Sequence, residues 1–129
     1  MNVNKEETIA IAIVVNHKQQ FLITRRKEGQ HLAGKWEFPG GKVESKETIV
    51  SAMVRELKEE VGITAIEFNL FDSLTFQYDQ LHLNLHFYLV SQFEGNAMGI
   101  EGQELKWIDK DQFADYEFPK ANIAIINKL

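Results

Sequence analysis

Three glutamates, Glu56, Glu59 and Glu60, stand at i, i+3 and i+4 spacing in a segment that reads as a helix over 47–60, closed by Gly62. On a wheel of about 100° per residue with Ile49 at zero, Val50, Ala52, Met53 and Leu57 define an apolar stripe. Glu56 and Glu60 fall within roughly 20° of its centre and Glu59 lies beside them, while Ser51 and Lys58 take the solvent side. Carboxylates turned toward a core are costly to desolvate, and three neighbours repel one another. A divalent cation answers both problems. Ligands that offer only oxygen select a hard ion, Mg2+ first and Mn2+ as its substitute. The plainer alternative is a solvated acidic face balanced by Arg55 and Lys58.

The elements that must carry this helix are legible around it. Segments 8–15 and 21–24 are rich in β-branched and aromatic residues and read as strands joined by a turn at 16–20. Residues 27–35 are polar with two glycines and read as a loop. A short strand at 36–38 is stopped by Pro39-Gly40-Gly41. Two long strands follow the helix, at 68–78 and 81–93, then a loop at 95–102, a strand at 104–108 and a terminal helix at 121–129. Strands mixed with two or three helices give a layered α/β or α+β domain, and the whole chain, 1–129, is expected to be a single domain.

The 129 residues are 44% apolar and 26% charged, ordinary for a globular chain. Cysteine is absent, which excludes disulfides and thiolate metal sites and fits a reducing, cytoplasmic setting. The N-terminal residues carry both signs of charge and do not read as a secretory signal, and the early apolar run, 9–15, is too short to cross a bilayer. A formal charge of −5 leaves no basic footprint for nucleic acid. An acidic protein that handles a polyphosphate must offset repulsion locally, and metal cations are the obvious means.

From Gly41 the chain runs five residues to Glu47, seven more to Arg55, and then Glu56-Leu57-Lys58-Glu59-Glu60-Val61-Gly62-Ile63. This string, 41–63, matches the box of the Nudix hydrolases at all its specified positions, a coincidence expected on the order of once per billion start points. Further segments resemble the bacterial MutT branch of that family: Ile23-Thr24-Arg25-Arg26, His31, Glu37-Phe38-Pro39-Gly40-Gly41-Lys42, Glu101-Gly102-Gln103 and Phe118-Pro119 followed by Ala121-Asn122. The resemblance implies an α/β/α sandwich with a mixed β-sheet, its box forming loop–helix–loop. It also implies hydrolysis of oxidised purine nucleotides, notably 8-oxo-dGTP, to monophosphate and pyrophosphate, which removes them from the DNA precursor pool. It implies a small-molecule nucleotide as the partner, acted on by a monomer, with no stable nucleic-acid or membrane binding.

The resemblance also implies roles. The Gly40 carbonyl, Glu59 and Glu60 would be metal ligands, and the glycines at 40 and 41 would let backbone approach a ligand closely. Glu56 would be a ligand or the base that orients water, and Glu101 would join the metal cluster or act as that base. Arg55 and Glu47 would form an orienting ion pair, or else a plain surface salt bridge. Substrate contacts would come from Arg26, His31, Glu37, Pro39 and Gly40, with Phe38 and Tyr78 as apolar or stacking walls.

Asn122 falls on the family's purine reader. An amide can accept from the N7–H of 8-oxoguanine while donating to O6, whereas unmodified guanine leaves one pairing unmatched. An ordinary helix cap is the other reading of Asn122. His17, His82 and His86 form no metal-ligand set. One position departs from the branch: its nucleotide-binding arginine aligns with Leu81. That change leaves other triphosphates, or nucleoside diphosphate derivatives, as rival substrates. A non-catalytic nucleotide-binding regulator is disfavoured by the intact box carboxylates.

Overall fold

A computed structural model describes residues 5–30 and 32–129. The chain runs β1 (Lys5–Val14), β2 (Phe21–Arg25), β3 (Trp36–Glu37), β4 (Gly40–Lys42), α1 (Ile49–Val61), β5 (Thr64–Tyr78), β6 (Leu81–Glu94), β7 (Leu105–Ile108), a 3-10 turn (Lys110–Asp115) and α2 (Lys120–Ile126). A four-stranded sheet has the order β4-β1-β6-β5, and a three-stranded sheet has the order β3-β2-β7. The larger sheet is mixed: β1 runs parallel to β6 and antiparallel to β4. The small antiparallel sheet stands beside the single mixed sheet that was expected.

Strand β1 explains the layers. Its end, Ala10 through Val14, is buried on both faces, so it reads as a continuous apolar run. Ala10, Ala12 and Val14 cluster with Ala52, Met53, Leu57 and Val61 of α1. Ile11 and Ile13 point the other way, into a cluster with Phe87, Phe118, Ala121 and Ile125 that includes α2. Small residues on one face let α1 sit close, and larger ones on the other fill a deeper space. This is the α/β/α layering that the sequence implied.

The turn at 16–20 is present. The Asn16 side chain accepts from the Lys18 and Gln20 amides, and Val15 bridges Phe21. The strands it joins nevertheless belong to different sheets. Strand β3 does end before Pro39-Gly40-Gly41, but the two glycines, expected only to stop it, begin a strand of their own, Gly40–Lys42, which pairs with Ile9–Ile11 of β1. Local glycine content argued for a break, but the partner strand supplies the hydrogen bonds. Strand β5 begins at Thr64 rather than 68. It is fifteen residues long and lies at the end of the sheet order, with register shifts at three points.

Candidate active site

Helix α1 opens at Thr48, whose side-chain oxygen accepts from the Ser51 amide at 3.0 Å. It closes at Gly62, whose φ of 76° suits the left-handed conformation that glycine takes without a Cβ penalty. Ala52, Met53, Leu57 and Val61 are fully buried, whereas Val50, placed on the apolar stripe, is 39% exposed. Val50 lies on the same face by angle, between Leu57 and Val61, but in the first turn of the helix, where it stays exposed; Glu56 and Glu60, on that face too, are partly buried. Glu59 is exposed. Packing outweighs acid crowding here: each buried Met or Leu contributes about 1.5–3 kcal/mol, against a few tenths for a like-charge pair on a helix.

Arg55 organises one side of the acidic row. Its Nε and Nη2 donate to the two Glu47 oxygens at 2.6 and 2.9 Å. Its Nη1 donates to Glu56 at 2.8 Å and Glu59 at 3.2 Å, and Nη2 also reaches the Lys42 carbonyl. The expected Arg55–Glu47 pair is thus a bidentate fork within a network, which fixes geometry better than a lone surface bridge. Hydrogen bonds from Arg55, and one from the Glu44 amide, hold the Glu47 carboxyl down at about 2.

Glu60 sits in a different setting. Its carboxylate accepts from the Gly40 amide at 2.7 Å. Burial pushes its pKa up to about 8, and the nearby charges of Glu37, Glu56 and Glu101 push the same way against that hydrogen bond. Burial also raises Glu56, opposed by Arg55. A side chain at position 41 would overlap the Glu56 carboxylate, and one at position 40 would collide with the β1 backbone at Ala10 and Ile11. Gly40 is therefore a steric requirement of the strand pairing, whereas a side chain at 41 would displace the Glu56 carboxylate from its present place. Glu101 lies on the exposed loop after β6, near enough to act electrically on both Glu56 and Glu60.

Among the described residues, no three His, Asp or Glu side chains converge in the geometry of a metal site. Glu56 and Glu59 are turned toward Arg55, and Glu60 toward Gly40. The donor chemistry nonetheless fits a hard cation. Every candidate ligand is an oxygen, and burial, joined by the charges of the neighbouring acids, disfavours the ionised Glu60 in a way that a divalent charge would offset.

Beside Glu60, a cleft of about 550 Å³ is lined by Arg26, Glu37, Phe38, Tyr78, Pro119 and Asn122, and it reaches Gly40 and Gly41. Arg26 donates to Glu37 at 2.7 Å, and burial raises the Glu37 pKa against that pairing. Phe38 touches the cleft but is only 2% exposed, packed against Phe113 and Phe118, so it is as much core as wall. Tyr78 stacks obliquely on Phe76. Pro119, not Asn122, holds the cap position of α2; Asn122 sits in its first turn and lines the cleft. The capping reading of Asn122 is thereby corrected. His31 lies outside the described residues.

Sequence reasoning singled out Leu81 but missed the rest of the apolar strip of the cleft, Leu83 and Leu85 of β6 with Ile9 and Ile11 of β1. Alternation along β6 was the available signal, since every second residue faces one way. It also missed Lys27 and Gln103, which contact the segment carrying Glu101.

The NUDIX domain family matches residues 10–128. An 8-oxo-dGTP diphosphatase of Escherichia coli is 44% identical over 97% of each chain. A CTP pyrophosphohydrolase of the same organism is 32% identical, over 90% of this chain and 86% of its own. A solved structure from work on MutT of Aliivibrio salmonicida and Vibrio cholerae superposes with a TM-score of 0.84 at 41% identity, covering 96% of both chains.

Proposed function

Because this chain belongs to the NUDIX domain family, we propose that it hydrolyses 8-oxo-dGTP to 8-oxo-dGMP and pyrophosphate with Mg2+, for which Mn2+ substitutes. The observation that carries this reading is that one cleft is lined by Asn122, Arg26 and Glu37 and also by Gly40, Gly41 and Glu60. Base-reading groups and polyphosphate-handling groups thus share one continuous space.

Hydrolases of the family generally need a divalent metal. Glu56, Glu59, Glu60, Glu101 and the Gly40 carbonyl would hold it. When bound, such an ion shields the triphosphate charge, acidifies water and stabilises the leaving group. The chain's own residues do the positioning, which is most of what phosphoryl transfer requires. Arg55, held by Glu47, sets the carboxylates of Glu56 and Glu59. Water attacks the β-phosphorus, the bond from that phosphorus to the α–β bridging oxygen breaks, and the bridging oxygen leaves with the monophosphate. The proton from water goes to Glu56 or Glu101, whichever the cation leaves free. Asn122 accepts from N7–H and donates to O6 of the oxidised base. The enzyme is read as a cytoplasmic monomer that clears mutagenic precursors before replication.

A second reading keeps the chemistry and changes the base. Leu81 lines the cleft where the MutT branch has a cationic donor, and one relative is named a CTP pyrophosphohydrolase. A nucleotide panel with Mg2+, scored by kcat/KM, separates the two. The main reading expects 8-oxo-dGTP to lead dGTP and CTP by tenfold or more. A CTP lead overturns it. In 18O-labelled water the label should enter pyrophosphate; label in the monophosphate refutes attack at the β-phosphorus. Asn122→Ala should lower the preference for the oxidised base about tenfold, and equal loss on dGTP and 8-oxo-dGTP argues against base reading.

A further inference from the structure

The loop at 95–103 is docked on the end of α1 by hydrogen bonds that this helix would otherwise leave unmade. The last carbonyls of a helix have no partner within it. Here the Val61 carbonyl accepts from the Met98 amide at 3.0 Å, and the Glu60 carbonyl accepts from the Ile100 amide at 3.2 Å. The Glu60 carbonyl takes a second bond, from the Gln103 side-chain Nε2 at 2.9 Å. The Oε1 of that same amide accepts from the Glu101 amide at 3.0 Å. One side chain therefore ties the backbone of Glu60 to the backbone of Glu101.

Both ends of the Gln103 amide are matched in type, nitrogen to a carbonyl and oxygen to an N–H, so neither end can be exchanged without losing both bonds. The peptide groups flanking Glu101 are held from two sides, since Lys27 Nζ donates to the Glu101 carbonyl at 2.8 Å. Gln103 is partly buried, whereas Glu101 itself is exposed. A side chain at position 99 would collide with the main-chain carbonyl of Gln103, so the loop packs tightly against the backbone of this residue.

We propose that Gln103 is a positioning residue for the hydrolysis: it sets the distance between Glu101 and the helix-borne Glu60 by bridging their main chains. The proposal rests on the role given to Glu101 above. An exposed carboxylate on a glycine-containing loop has many rotamers and backbone states open to it, and a fixed main chain removes the second kind. Groups that hold a working carboxylate in place typically matter by about 10–100-fold in activity.

The test compares wild type, Gln103→Met, Glu101→Gln and the double variant on 8-oxo-dGTP with Mg2+, together with amide hydrogen exchange of the free protein. Gln103→Met should speed exchange of the Glu101 amide by about tenfold or more while amides of β1 and β6 keep their protection. It should lower kcat by about 10–100-fold with KM changed less than about twofold, and its effect should nearly vanish in the Glu101→Gln background. Gln103→Leu, which also removes both bonds without adding charge, should match Gln103→Met and serves if the methionine variant folds poorly. Unchanged exchange at Glu101, or losses that simply multiply in the double variant, overturns the proposal. Full turnover in Glu101→Gln sinks the role of Glu101 itself; full turnover in Gln103→Met beside an impaired Glu101→Gln sinks the strut alone.

Discussion

The acidic row of α1 has two sides that differ in how charge is balanced. Around Arg55, the carboxylates of Glu44, Glu47, Glu56 and Glu59 share one guanidinium, and Glu47 is held at about 2. Around Glu60, burial and the neighbouring acids lift the carboxyl to about 8, with the Gly40 amide as its hydrogen-bond donor. Residues of one type on or beside one helix thus hold opposite tendencies. The side neutralised from within supplies fixed geometry. The side short of positive charge is where a cation and a polyphosphate gain most.

Substitution at Glu60 should break that contrast most severely. Glu60→Gln is expected to lower kcat by about 10²–10³-fold, the scale on which loss of one charge-stabilising group is felt, with the circular dichroism spectrum retained. Normal turnover would refute its part in holding metal. Arg55→Met attacks the other side. It should cost about 10–100-fold in kcat with KM for the nucleotide nearly unchanged, and Arg55→Lys should recover only part, because an ammonium cannot make the two-pronged bond to Glu47. A KM effect without a kcat effect would mean that Arg55 serves binding instead.

The smallest effect is on pH-dependent stability of metal-free protein. Glu60 titrates near 8 when folded and near the ordinary 4.5 when unfolded. Between those values the folded state holds the extra proton, so stability should fall as pH rises from about 4.5 to 8. The raised groups of Glu37 and Glu56 act in the same direction. Glu47 has the opposite sign: its contribution is present above 4.5 and is lost as pH falls toward 2. Urea midpoints across pH measure this. Glu60→Gln should flatten the upper slope, and Mg2+ should raise the midpoint more at pH 8 than at pH 5. A wild-type slope unchanged by Glu60→Gln would assign the effect elsewhere.

Much of this was legible in residue spacing. Gly62 marked the helix end, and the positions of Ala52, Met53 and Leu57 marked its buried face, because both follow from local geometry. The Arg55–Glu47 pair followed from the family resemblance and stands in the structure. What failed depended on distant partners. Gly40–Lys42 became a strand because β1 lies alongside, and Val50 stayed in solvent although it shares the angle of the buried Leu57 and Val61, because it stands in the first turn of α1. Phe38 went into the core because Phe113 and Phe118, some eighty residues away, come to meet it. Gln103 was visible as part of a matched segment, but its two bonds depend on where the helix end and the loop meet.

The long outer strand β5 has a consequence for how the protein tolerates crowding. A straight ribbon of fifteen residues with one side open would template the addition of strands from other copies, the route to fibrils. Its pairing slips at Ala65/Glu67, Glu67/Phe68 and Leu70/Asp72. Each slip bends the ribbon and breaks the even row of amides that an incoming strand would need. Straightening those slips would leave an even, open edge of the kind that pairs with strands of other copies.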